Sequence, residues 1–144
     1  MAADATGPGP GTEQRHDGLP AMHIGEVASR TELSLRSLRH WDEVGLLRPS
    51  GRTDGGFRLY TEADVAKILT IRRMKPLGFT LDQMSATMRD IESLHQPGHD
   101  SGKRAQATER LVDVLREANE RREGLKRQLA MADEFIELLS QRLT

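Results

Sequence analysis

No cysteine occurs in the 144 residues, which excludes disulfides, thiolate-bound zinc, iron–sulfur ligation and thiol redox sensing in this chain. Aromatic residues make up 3% and hydrophobic residues 36%, too little for one thick globular core. The 30% of charged residues suits long solvated helices instead. No apolar run approaches the ~20 residues of a membrane span, and no signal-peptide core is present. The expectation is a soluble cytoplasmic protein with no membrane partner. Ser/His/Asp and Cys/His sets, phosphate-cradling glycine loops and HExxH patterns are all missing, so no catalytic residue and no cofactor is assigned.

What the sequence does contain is divided charge. The whole chain carries −1, but residues 22–89 carry +3 between flanks of −2 each, so the basic excess is concentrated where a polyanion would find it. Residues 1–21 are rich in Gly, Pro, Ala and Thr without apolar periodicity, and are expected to form a disordered tail. Ile24, Val27 and Ala28 then mark a short helix starting near Gly25, and Thr31, Glu32 and Leu33 a turn. The next helix has an N-cap in Ser34 and a left-handed stop in Gly45. Its apolar side carries Leu35 and Leu38, and its other side Arg36, Arg39, His40 and Glu43. Two short helices joined by such a turn make a helix-turn-helix.

Leu46-Leu47 and Phe57 to Tyr60 are expected to be strands joined by a hairpin whose tip is Asp54-Gly55-Gly56. Thr61 with Asp64 forms a capping-box-like start for a helix carrying Val65, Ile68 and Met74. Gly78 stops that helix. Thr80 caps another, whose apolar face is Leu81, Met84, Met88 and Ile91. This pair resembles a second wing, with Arg72, Arg73 and Lys75 near its turn. Residues 95–102 hold Pro97, Gly98 and Gly102 and form a hinge.

From residue 103 the chain is one long helical pattern. Leu111, Leu115, Ala118, Leu125, Leu129, Ala132, Ile136 and Leu139 fall on one seam, broken by Arg122 and continued to Leu143. Roughly forty residues make a helix of ~60 Å, longer than a small N-terminal domain can cover. The seam therefore predicts a homodimer, with antiparallel helices setting two heads at opposite ends. The fold class is mainly α: a winged helix-turn-helix domain over 22–94, the hinge, and a dimerisation helix over 103–144 in an antiparallel coiled coil.

The pieces IGEVASRT, SLRSLRHWDEVGLL, RPSGRTDGGFRLYTEADV and IRRMKPLGFTLDQM closely resemble the MerR family of bacterial transcription regulators in order and spacing. The resemblance implies double-stranded promoter DNA as partner, a nucleoid location and RNA polymerase at the same promoter. Family members bend and untwist promoters whose two recognition elements stand too far apart. It places Ser34, Arg36, Ser37, Arg39 and His40 at the major groove and adjacent phosphates. Arg52, Phe57, Arg58 and Tyr60 belong to the wing, and Lys75 to the second wing. Arg36 and Arg39 are the base-reading candidates, since arginine bonds bidentately to guanine, while Arg52, Arg58 and Lys75 neutralise phosphates.

Two departures from the family pattern stand out. Glu32 occupies a position where the family turn usually has glycine. His40-Trp41 replaces a pair of tyrosines, with Trp41 expected to pack partly against the wing and His40 to lend binding a mild pH dependence. The rival reading is an excisionase-like architectural factor that bends DNA, which usually lacks a long dimer helix. His95, His99 and Asp100 are a weak metal set, because Pro97 and Gly98 break helical presentation; no metal is assigned. Met74, Met84 and Met88 are more economically core filler than an effector pocket. A small-molecule effector has a place in the family, but no residue here names it.

Overall fold

The computed structural model describes residues 21–96, 98 and 101–144. The tail expected over 1–21 thus lies, Ala21 apart, outside the described residues, as do Pro97, His99 and Asp100 of the hinge. Two compact units divide at Pro76 and Leu77.

The first unit opens with β1 (Met22–His23), α1 (Ile24–Thr31) and α2 (Leu35–Glu43). It continues with β2 (Gly51–Arg52), β3 (Arg58–Tyr60) and α3 (Glu62–Met74). The sheet order is β1-β3-β2, all antiparallel, with Met22 opposite Tyr60 and Arg52 opposite Arg58. Val27, Leu38, Trp41, Leu59, Tyr60, Ile68 and Ile71 are buried at its centre.

Local chemistry sets these boundaries. Ser34 caps α2, its hydroxyl accepting from the Ser37 amide at 3.0 Å, and Gly45 ends it at φ +77°. Thr61 and Asp64 form a full capping box at the start of α3. Glu32 closes α1 in the left-handed region at φ 57°, the one described non-glycine residue there. The family's glycine position is therefore also the strained position. Arg72 braces it, donating to the Thr31 carbonyl at 2.9 Å and to Glu32 at 3.3 Å.

Leu46 and Leu47 correct one expectation. They are buried, but they are not a strand: both amides donate to the Trp41 carbonyl, at 2.9 and 3.2 Å, so their backbone closes the end of α2 instead of joining a ladder. The partner of β3 is the later pair Gly51–Arg52.

A 3-10 turn (Lys75–Leu77) ends the first unit and begins the second, which contains α4 (Leu81–His95) and α5 (Ser101–Leu143, 43 residues). The expected 22–94 head is divided here, because α4 packs on α5: Met84, Thr87 and Met88 are buried, and Arg110 holds Asp90 through both carboxylate oxygens at 2.8–3.1 Å. Leu81, expected on the apolar face, is 37% exposed in the first turn. Thr80 and Gln83 make a second full capping box. Arg121 donates to the Leu77 carbonyl at 2.9 Å, pairs with Glu117, and lies over the Phe79 ring at 4.6 Å.

The seam of α5 is also divided. Ala107 is fully buried, and Leu111, Val114 and Ala118 are half-buried at helical spacing from it. Leu111 and Ala118 are thus partly covered within the chain, against the expectation that the whole seam awaits a partner. Leu115, Leu125, Leu129, Ala132, Ile136 and Leu139 are exposed.

Replacing Glu32 by glycine should raise stability by ~0.5–1 kcal/mol. It relieves a left-handed side-chain conformation costing ~1–2 kcal/mol and gives up one exposed ion pair worth less than ~1 kcal/mol. Urea unfolding followed by the fluorescence of Trp41, the single tryptophan, measures it; a less stable variant would show that the Arg72 brace outweighs the strain.

Candidate nucleic-acid interface

Arg36, Arg39 and His40 are exposed on α2. Neither arginine makes a hydrogen bond or ion pair among the described residues, so both guanidinium forks face water. Ser34 is exposed and Ser37 half-buried, their hydroxyls 3.1 Å apart. The opposite side of the helix holds Leu38, Trp41 and Asp42, all buried.

Asp42 is the residue that sequence reasoning missed. Its Oδ2 accepts from Arg52 Nη2 and from Arg58 Nε, each at 2.7 Å. Helix α2 and both strands of the hairpin therefore meet on one buried oxygen. Burial by itself pushes the Asp42 carboxyl up, but the hydrogen bonds from Arg58 and then Arg52 outweigh it and hold the group below the ordinary carboxylate value. A signal existed: Asp42 lies at helical spacing from Leu35 and Leu38, an acid on the apolar stripe, and such an acid needs a cation.

A second carboxylate does the same for the entry to the hairpin. Asp64 Oδ2 accepts from the Ser50 hydroxyl at 2.5 Å, the Ser50 amide at 3.2 Å and the Thr61 amide at 3.0 Å. Its capping role was legible; its grip on Ser50 was not. At the tip, Thr53 and Phe57 pair through the backbone at 2.9 Å, Arg52 Nη1 reaches the Gly56 carbonyl at 3.3 Å, and the Phe57 ring is 68% exposed.

The remaining expected site residues divide. Arg52 and Arg58 are 45% and 23% exposed and already paired with Asp42, so they anchor the hairpin as well as offering positive charge. Tyr60 is fully buried, which removes its ring from any contact surface. Its hydroxyl has no partner among the described residues, and burial raises it to about 12. Lys75 is exposed, with its ammonium 5.7 Å from the Trp41 ring centre, so Trp41 packs under the second wing's lysine. Arg73 is exposed without a described partner, whereas Arg72 is spent on the Thr31–Glu32 turn.

Two arginines thus stand open to water on a capped helix, beside a basic hairpin pinned to that helix. Residues 22–91 match the model of the MerR HTH family regulatory protein. The HTH-type transcriptional regulator CueR of Yersinia pestis is 30% identical over 115 residues, covering 78% of this chain and 80% of that protein. The chain belongs to the MerR family.

Its relatives are transcription regulators, not enzymes, which also sets aside the architectural rival. The nodulation protein NolA of Bradyrhizobium elkanii is 41% identical over 71 residues, 49% of this chain; the chain spans only 32% of NolA. A crystal structure of a MerR-family regulator from Bacillus cereus superposes with a TM-score of 0.51 at 31% identity, covering 83% of this chain and 75% of that one. The mainly α architecture, helix-turn-helix with a small sheet and a long C-terminal helix, is that of the MerR regulators. Among the described residues no helix is long and apolar enough to cross a membrane.

Replacing Asp42 by asparagine keeps its shape and removes its charge. The variant should be ~1–3 kcal/mol less stable near neutral pH, the cost of losing two charge-assisted hydrogen bonds at a buried group. Because the folded pKa of Asp42 is depressed, its contribution is present above the ordinary carboxylate value of about 4 and disappears as pH falls through the lower folded value. Trp41-monitored unfolding should therefore show the gap between variant and wild type closing below about pH 4. A gap that is absent, or equal at pH 7 and in acid, would remove Asp42 as the anchor.

Proposed function

We propose that this MerR-family chain acts as a homodimer on a two-fold promoter site and regulates transcription by bending and untwisting the DNA between the promoter elements that RNA polymerase reads. Its place of work is the cytoplasm, on the nucleoid. The observation that carries this reading is the coexistence of free arginines on α2 with an uncovered apolar seam on α5: Leu125, Leu129, Ile136, Leu139 and Leu143 are 41–78% exposed. A repeating stripe of this kind costs ~1.5–3 kcal/mol per large side chain left in water rather than fully buried. A second copy of the same stripe covers it.

In this reading Arg36 and Arg39 read base edges, helped by Ser34, Ser37 and His40 at the start and side of the helix. The exposed ends of Arg52 and Arg58, with Phe57, Lys75 and Arg73, engage the backbone and fix register. The antiparallel helices hold two such readers at a fixed separation, as a site with dyad symmetry requires. The distortion of the duplex is then driven by the mismatch between that separation and the natural spacing of the half-sites. The regulatory input, whether a small molecule or another protein, has no residue assigned to it.

Arg36→Ala should weaken binding to the preferred site by ~1–3 kcal/mol and relax selection at one base pair per half-site. Competition binding against single-base variants checks this, and an unchanged preference would take Arg36 out of the reading role. Leu129→Glu should leave the Trp41 unfolding signal intact, convert the protein to monomer in sedimentation, and abolish tight binding. A variant that stays dimeric would place the interface elsewhere.

A further inference from the structure

The charges flanking the exposed seam of α5 discriminate between pairing registers, an inference that rests on the dimer reading above. With Leu129 and Ile136 at a and Leu125, Ala132 and Leu139 at d, position e carries Lys126, Asp133 and Ser140, and position g carries Arg121, Gln128, Phe135 and Arg142. Lys126 is 64% exposed, and its described ion pair is an intrahelical contact of 3.5 Å with Glu123. Asp133 is exposed and has no partner among the described residues.

Pairing two copies of this seam leaves few choices. A parallel pair sets g against e, and so Arg121 against Lys126, a like-charge contact made twice. An antiparallel pair sets e against e and g against g. If Leu125 meets Leu129 of the second copy, Lys126 faces Lys126. If Ala132 meets Ile136, Asp133 faces Asp133. If Leu129 meets Ala132 and Leu125 meets Ile136, Lys126 faces Asp133 on both sides of the two-fold axis. That register also sets Arg142 across from Arg121, whose charge is already met by Glu117 within its own helix. Arg122 falls at an a position, where its stem lies along the seam and its head, 3.3 Å from Glu123, reaches water.

We propose that reciprocal Lys126–Asp133 pairs fix the register of the antiparallel dimer, with Leu129 of one copy seated against Ala132 of the other. The spacing between the two DNA-reading heads then depends on a charge pattern far from the DNA: a shift of one heptad per pairing step would move the heads along the helix axis, and the pairs oppose it.

The test is a charge swap on the full-length chain, read by sedimentation equilibrium at low salt with helicity checked by circular dichroism. Lys126→Asp and Asp133→Lys each replace two attractions by two repulsions, and each should weaken the dimer about tenfold. The double variant, and a one-to-one mixture of the two single variants, restore every unlike pair and should dimerise within about threefold of wild type. Dimers whose strength ignores the swaps, or a double variant weaker than either single one, would overturn the register while leaving the dimer in place. A wild-type chain that sediments as a monomer would overturn the dimer reading itself.

Discussion

A carboxylate taken out of water has to be paired, and Asp42 is paired twice on one oxygen. The hairpin it holds consists of strands of two and three residues, too short to be stable as an isolated ribbon. Asp64 grips the other end of the same hairpin through Ser50. Between them, two buried acids turn a loop rich in glycine and arginine into a fixed part of the α2 surface. The arrangement also explains how a basic hairpin can sit next to a basic helix face: the charge of Arg52 and Arg58 is partly neutralised from beneath by Asp42.

The second unit follows a different logic. Here α5 is shared between two tasks along its length. Its N-terminal stretch packs on α4 through Ala107, Leu111 and Ala118 and through the Asp90–Arg110 pair. Arg121 then holds the turn at Leu77 and Phe79. Beyond that point the apolar side chains face water, and the helix has nothing of its own left to cover them. The same element thus holds α4 and the Leu77–Phe79 turn at one end and leaves an apolar stripe uncovered at the other.

Much of this was legible in the residues because it is local. Ser34, Gly45, Thr61, Thr80 and Gly78 each act within four residues of themselves, and each does what its chemistry implies. The free arginines of α2 and the exposed Leu125–Leu143 stripe followed from helical spacing. What was not legible depends on partners far along the chain. Leu46 and Leu47 have the composition of a strand, but Trp41 takes their amides. Tyr60 has the composition of a contact residue, but the sheet and α3 close over it. The Asp42 bridge spans 10 and 16 residues to its arginines, and β1 is too short to show any periodicity. The partial covering of Leu111 and Ala118 required knowing that α4 folds onto α5.

In the proposed dimer each chain supplies one half of a two-fold reader, with sequence read by α2 and spacing set by α5. Selection of bound duplexes from a random DNA pool should then enrich an inverted repeat whose half-sites are separated by a constant spacing. Enrichment of a single half-site, or of no sequence at all, would contradict that arrangement.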